Sequence, residues 1–97
     1  MPTVTKVIAE CERDSSEGYK FYYRLSASKT HYEGKIYPSF LVYVSVKGEG
    51  FDYFDETEIQ DLTSCESTAL SFFDLISNGL VTPLTLRDVA EDFLADL

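Results

Sequence analysis

The sequence is poor in the residues on which most recognisable chemistry depends. Its 97 residues include two cysteines, one histidine and no tryptophan. Cys11 and Cys65 cannot make a disulfide framework, belong to no CxxC pair, and with His31 alone beside them leave too few ligands for a zinc site. No Gly-rich phosphate loop, GxSxG elbow, HExxH helix or EF-hand loop occurs. No apolar run approaches the ~20 residues of a membrane span, and Met1 to Lys6 lacks the apolar stretch of a signal peptide. Neither membrane insertion nor export is expected, and a cytoplasmic setting is the default. No metal, cofactor or catalytic residue is expected either, and the chain is read as a non-enzyme.

Basic side chains are scarce as well, with 8 Lys and Arg against 17 Asp and Glu, a formal charge of −9. Their placement is uneven. Residues 1–47 carry seven bases and five acids and net +2, whereas residues 48–97 carry Arg87 and twelve acids and net −11. Such a field repels phosphate, so nucleic acid is not an expected partner of the back half, while a basic protein would suit it. The plainer reading is a solvated acidic surface that keeps a small protein soluble.

What the chain does have is apolar area: 44% hydrophobic residues, with seven Phe and seven Tyr, enough for a core despite the charge. Ninety-seven residues fit one domain over 1–97, since domains usually run from about 50 to 250 residues. Thr3 to Arg13 is rich in β-branched residues and ends at the turn formers Asp14 to Gly18. Tyr19, Phe21, Tyr23, Leu25 and Ala27 then alternate with Lys20, Tyr22, Arg24, Ser26 and Ser28, a half-buried strand. Lys29 to Lys35 reads as a loop turning at Gly34. The third strand sets Phe40, Val42, Val44 and Val46 against Leu41, Tyr43, Ser45 and Lys47, with Pro38 at its start or at an edge. Lys47 to Gly50 reads as a hairpin turn, and Phe51 to Ile59 as a fourth strand anchored by Phe51, Tyr53 and Phe54.

The period then changes to that of helices. Thr63-Ser64-Cys65-Glu66 matches a capping box, and Ala69, Leu70, Phe72, Phe73, Leu75 and Ile76 follow before a stop at Asn78-Gly79. The polar stripe is narrow, so this helix is expected to be buried on two sides, by the sheet and the last helix or by a second copy in a homodimer. Thr82-Pro83 opens the last helix, with Thr85 as an alternative cap. Leu86, Val89, Ala90, Phe93, Leu94 and Leu97 form its apolar stripe opposite Arg87, Asp88, Glu91, Asp92 and Asp96. Short connections favour an antiparallel meander, and both helices should cover its most apolar face. The fold class expected is α+β, a four-stranded antiparallel meander with two C-terminal helices on one face.

Two surfaces are candidate binding sites. Asp88, Glu91, Asp92 and Asp96 share one side of the last helix at spacings that suit a partner's Lys or Arg, although solvated helices often look like this. On the open sheet face, Lys20, Tyr22, Arg24, Tyr37 and Tyr43 combine aromatic planes with cations, the composition of surfaces that stack single-stranded bases. Tyrosine also simply favours strands, and the acidic whole argues against that use. The remaining groups are weaker. His31 lacks a partner for catalysis. Asp52, Glu56 and Glu58 alternate away from Asp55 and build no cation cage. Cys65 in a first helical turn has a lowered thiol pKa to expect, but is more simply a small half-buried side chain.

From Asn78 to Leu94 the chain resembles the ending of an uncharacterised family of short clostridial proteins, with Thr82, Pro83, Leu86, Asp88, Val89, Glu91, Asp92, Phe93 and Leu94 matching a TPxxLxDVxEDF-like pattern. The resemblance implies a stranded front half, a helix, a final helix and a bacterial cytoplasmic setting, but no mechanism. The functional expectation is a non-enzymatic protein–protein interaction module whose unknown partner is basic. Single-stranded nucleic-acid binding through the open sheet face is the alternative.

Overall fold

The computed structural model describes residues 5–96, excepting the side chains of Thr30 and Tyr32. Thr3 and Val4, expected in the first strand, and Leu97, expected in the last stripe, lie outside that range. Four antiparallel strands, β1 (Lys6–Asp14), β2 (Tyr19–Tyr32), β3 (Lys35–Gly48) and β4 (Phe54–Ile59), form one sheet in the order of the chain. Two helices follow, α1 (Glu66–Asn78) and α2 (Leu86–Ala95). The fold is α+β, a meander with both helices at its C-terminal end.

Alternation in β2 and β3 decides which face is covered. Opposed pairs Phe21–Val46, Tyr23–Val44 and Leu25–Val42 all point the same way, with Phe40 beyond them, and all are buried. Ala69, Phe72, Phe73 and Ile76 of α1 and Leu86 and Ala90 of α2 complete that core. The Phe72 and Phe93 rings meet at 5.2 Å, which ties α2 to α1. Val89 and Phe93 pack partly against the core while Asp92 stays exposed, so the apolar stripe faces inward as its spacing predicts except at Leu94, which is exposed.

Several local expectations are corrected. Lys29 to Lys35 is not a loop: β2 and β3 pair down to Tyr32–Lys35, and the chain reverses in Glu33-Gly34, at φ +50° and +77°. Positive φ at both positions suits a two-residue hairpin turn, and the β-formers Thr30, Tyr32 and Ile36 outweigh the polar residues among them. Pro38 therefore lies inside β3, opposite Lys29, and of the two expected placements it takes the edge position and not the strand's start. It is tolerated because Phe40, two residues on, sends its N–H to the Thr63 carbonyl on the β4 side. The Pro38 nitrogen faces the same side, past the end of β4, whose pairing with β3 begins only at Val42.

The fourth strand starts at Phe54, not Phe51, and Phe51, Tyr53 and Phe54 are exposed rather than core anchors. Phe51 instead folds back over Gly48, where a Cβ would come within 2.5 Å of its ring, and both Phe51 and Tyr53 meet Tyr19 edge to face. Asp52 consequently sits in the loop and not on a strand face with Glu56 and Glu58. The capping box does not close. Cys65, not Thr63, is the residue before α1, and the Thr63 hydroxyl accepts the Cys65 N–H instead. Helix α1 ends with the Val81 N–H on the Ile76 carbonyl, which requires a left-handed residue at position 80. Leu80 fills it at φ +50°, one residue past the glycine expected to stop the helix. The last helix begins after Thr85, the alternative cap, and Thr82-Pro83 belongs to a preceding turn. Burial of α1 on two sides is incomplete, because Leu75 remains exposed beside Val89 and Phe93.

Candidate functional site

The acidic face of α2 is the simplest of the candidate surfaces. With Leu86 and Ala90 held in the core, the helical period turns Asp88, Glu91, Asp92 and Asp96 outward, and all four are exposed. Among the described residues the one ion pair is Lys20 with Glu49 at 3.3 Å, so no cation of the chain is paired with this ridge. Arg87 lies next to it along the helix and is also exposed.

The open sheet face differs from the surface the sequence suggests. Lys20, Tyr22, Arg24 and Tyr43 do share it: the Tyr22 and Tyr43 rings lie 6.1 Å apart, and the Arg24 guanidinium sits 4.6 Å over Tyr43. Tyr37 falls on the same face by the unbroken β2–β3 register, but six residues along β3 from Tyr43, about 20 Å away. It projects with the β2–β3 hairpin, near Pro38 and Thr63. The edge strands bring carboxylates that the sequence had not placed there. The register running back from the β1–β2 turn sets Asp14, Glu12 and Glu10 opposite Lys20, Tyr22 and Arg24, a bulge between Val7 and Ala9 altering only the pairing of Lys6 and Val7, while β4 sets Glu58 and Glu56 opposite Tyr43 and Ser45.

Five carboxylates thus surround three cations, Lys20, Arg24 and Lys47. Tyr22 donates its hydroxyl to Glu10 Oε2 at 2.7 Å, and Tyr43 donates to Glu56. Partial burial, followed by these carboxylate contacts, raises both phenol pKa values above the ordinary value. The Lys20 ammonium is likewise raised, chiefly by its hydrogen bond to Glu49. As a chemical surface the face is a tyrosine pair clamped by carboxylates, with its phenolic protons already committed.

Cys65 is exposed, not half-buried. Its Sγ lies 3.2 Å from Ser67 Oγ at the start of α1, and that hydrogen bond, with further ones from Thr68, lowers the thiol to about 7. Cys11, half-buried on β1, packs against the core. His31 is exposed near the tip of the projecting hairpin. Among the described residues no group of three or more His, Cys, Asp or Glu is arranged to hold a metal ion, and no helix is long and apolar enough to cross a membrane.

One concavity among the described residues involves none of the expected site residues. It opens at the end of the sheet near the β1–β2 turn, with a volume of about 430 Å³, and reaches from Tyr19 and Tyr53 to Pro83 and Leu84. The signal for it was present in the sequence as Tyr53 and Leu84, apolar residues in connections that need none, but Tyr53 was read as a strand anchor.

No curated protein and no solved structure matches the chain. Comparison with protein families gives a match over residues 3–96, which takes in all four strands and both helices as well as the C-terminal segment. The chain belongs to the family of unknown function DUF6514.

Proposed function

We propose that this chain is a non-enzymatic interaction module that docks a basic protein through the carboxylates of α2. The supporting observation is the ridge itself. Asp88, Glu91, Asp92 and Asp96 are exposed on one side of a helix whose other side is anchored in the core, with no cation of the chain paired to them among the described residues. A rigid row of unpaired carboxylates favours association with Lys and Arg through long-range attraction as well as contact. Both cysteines are free, which suits a reducing compartment and the cytoplasmic setting that belongs to this reading. The test is affinity capture from the source cells with the wild-type chain and the Asp88→Ala/Glu91→Ala/Asp92→Ala variant. Loss of a set of basic proteins by the variant is expected, and identical partner lists would reject the proposal.

The second reading is single-strand nucleic-acid binding on the sheet face, and the stacked Arg24 and Tyr43 are the observation in its favour. Its support is thinner. The flanking carboxylates outnumber the cations, and Tyr37 lies apart from the other residues that reading needs. A fluorescence titration with mixed oligonucleotides at low salt checks it, and absence of binding removes it. The exposed Leu75 leaves association of two copies through α1 as a further possibility, which light scattering would detect as a doubled mass.

A further inference from the structure

We propose that the groove at the β1–β2 turn end of the sheet binds an extended, basic peptide segment that inserts an aromatic or long aliphatic side chain. This rests on the reading of the chain as an interaction module and adds to the α2 ridge a second contact on a different surface. The groove exists because the covered face of the sheet runs past the helices. Tyr19, Phe21 and Val46 continue that face into the groove, and the α1–α2 connection with Pro83 and Leu84 forms the opposite wall.

The lining is apolar where a connection has no folding reason to be. Leu84 is 86% exposed in the turn before α2, and at the same end Phe51 and Tyr53 are 47% and 46% exposed. A single exposed Leu signifies little, but Tyr53 and Leu84 both line one concavity and Phe51 packs on the same Tyr19, a patch of the kind that marks interaction sites. Tyr19 holds Phe51 at 5.3 Å and Tyr53 at 5.6 Å, so the aromatic side of the patch is fixed in place before any ligand arrives.

The polar groups choose the charge of the occupant. The Ser15 hydroxyl already accepts the Glu17 and Tyr19 N–H groups, the Thr82 hydroxyl is paired with Thr85, and Asp55 Oδ1 accepts the Glu56 N–H. Of the charged groups the lining holds only the Glu17 carboxylate and the Asp55 carboxylate with its second oxygen unused, beside the Tyr19 and Tyr53 phenols, and no Lys or Arg lines the groove. An anionic ligand is repelled there. A neutral apolar molecule leaves the rim unused. A chain segment that alternates cations with apolar side chains engages both, and in an extended conformation its successive side chains point to opposite sides, one set into the groove and the other along the rim.

Fluorescence anisotropy with three labelled peptides tests this: lysine interleaved with leucine and phenylalanine, the same peptide with serine at the apolar positions, and the same with glutamate for lysine. The wild-type chain is expected to bind the first about tenfold more tightly than either of the others. Leu84→Ser should remove that preference while leaving the serine peptide unaffected, and Glu17→Gln should weaken the first peptide about threefold and flatten its salt dependence. Both positions are exposed, and an unchanged circular dichroism spectrum verifies that the variants are folded. Equal binding of the glutamate peptide, or unchanged affinity in Leu84→Ser, overturns the proposal. The Asp88→Ala/Glu91→Ala/Asp92→Ala variant separates the two surfaces. If it alone loses the apolar lysine peptide, the groove assignment fails and the α2 proposal stands. If Leu84→Ser alone loses it, the groove stands and α2 is not the contact.

Discussion

Tyr23 shows how one buried polar group couples the sheet to the helical connection. Its ring is fully buried and its hydroxyl donates to the Val81 carbonyl at 2.9 Å, just beyond the end of α1. Tyr23→Phe removes the donor and leaves that carbonyl unpaired, at an expected cost of about 1 kcal/mol in urea denaturation. Burial pushes the Tyr23 phenol pKa well above its ordinary value, so the folded state holds the proton longer than the unfolded chain does. The contribution is therefore complete below the unfolded value of about 10 and declines as pH rises beyond it. Stability measured from pH 8 to 11 should fall at the alkaline end, and less steeply in Tyr23→Phe; equal slopes would contradict the assignment. Cys65 gives a second residue-level expectation. With its thiol lowered to about 7, iodoacetamide at neutral pH should modify it on the order of tenfold faster than Cys11, as read by peptide mass spectrometry. Equal rates would show that the Ser67 contact does not hold the thiolate.

Elements were legible in proportion to how strictly their pattern repeats. The alternation of Tyr19 to Ala27 against Phe40 to Val46, and the i, i+3, i+4 spacing from Leu86 to Phe93, each admit one solution with a buried side, and the structure has both. What escaped were features decided by contacts distant in sequence. The register that brings Glu10, Glu12 and Asp14 onto the open face depends on pairing with β2, and no residue type announces it. Phe51 reads as a strand residue until Gly48 and Tyr19 are seen beneath it. Gly34 is the turn residue expected, but the tightness of the hairpin was hidden by composition, since Glu33 is an unusual occupant of a left-handed position that asparagine fills more readily. Glu33→Asn is thus expected to stabilise the protein by a few tenths of a kcal/mol and Gly34→Ala to destabilise it by about 1 kcal/mol, since a Cβ there meets no atom but the backbone is left-handed. Thermal denaturation of both variants checks the pair, and opposite signs would place the turn elsewhere.

At the scale of the whole molecule, lengths explain where the working surfaces lie. Strands of 14 residues span about 46 Å, whereas helices of 13 and 10 residues span only about 20 and 15 Å. The helices can cover no more than the middle of the sheet, in a molecule extending 50 × 31 × 18 Å. One end is left as the β2–β3 hairpin, which runs past both edge strands; the other is left as the aromatic groove. Between them the helices face solvent with carboxylates and present almost no positive charge. The central claim is that this acidic α2 face receives a basic partner, and its most direct test is titration of an oligolysine peptide into the ¹⁵N-labelled protein at low ionic strength. Amide shift changes concentrated in Leu86–Ala95, and reversed by added salt, are the predicted result. Changes spread evenly over every acidic segment, or centred on Tyr22 and Tyr43, would contradict it.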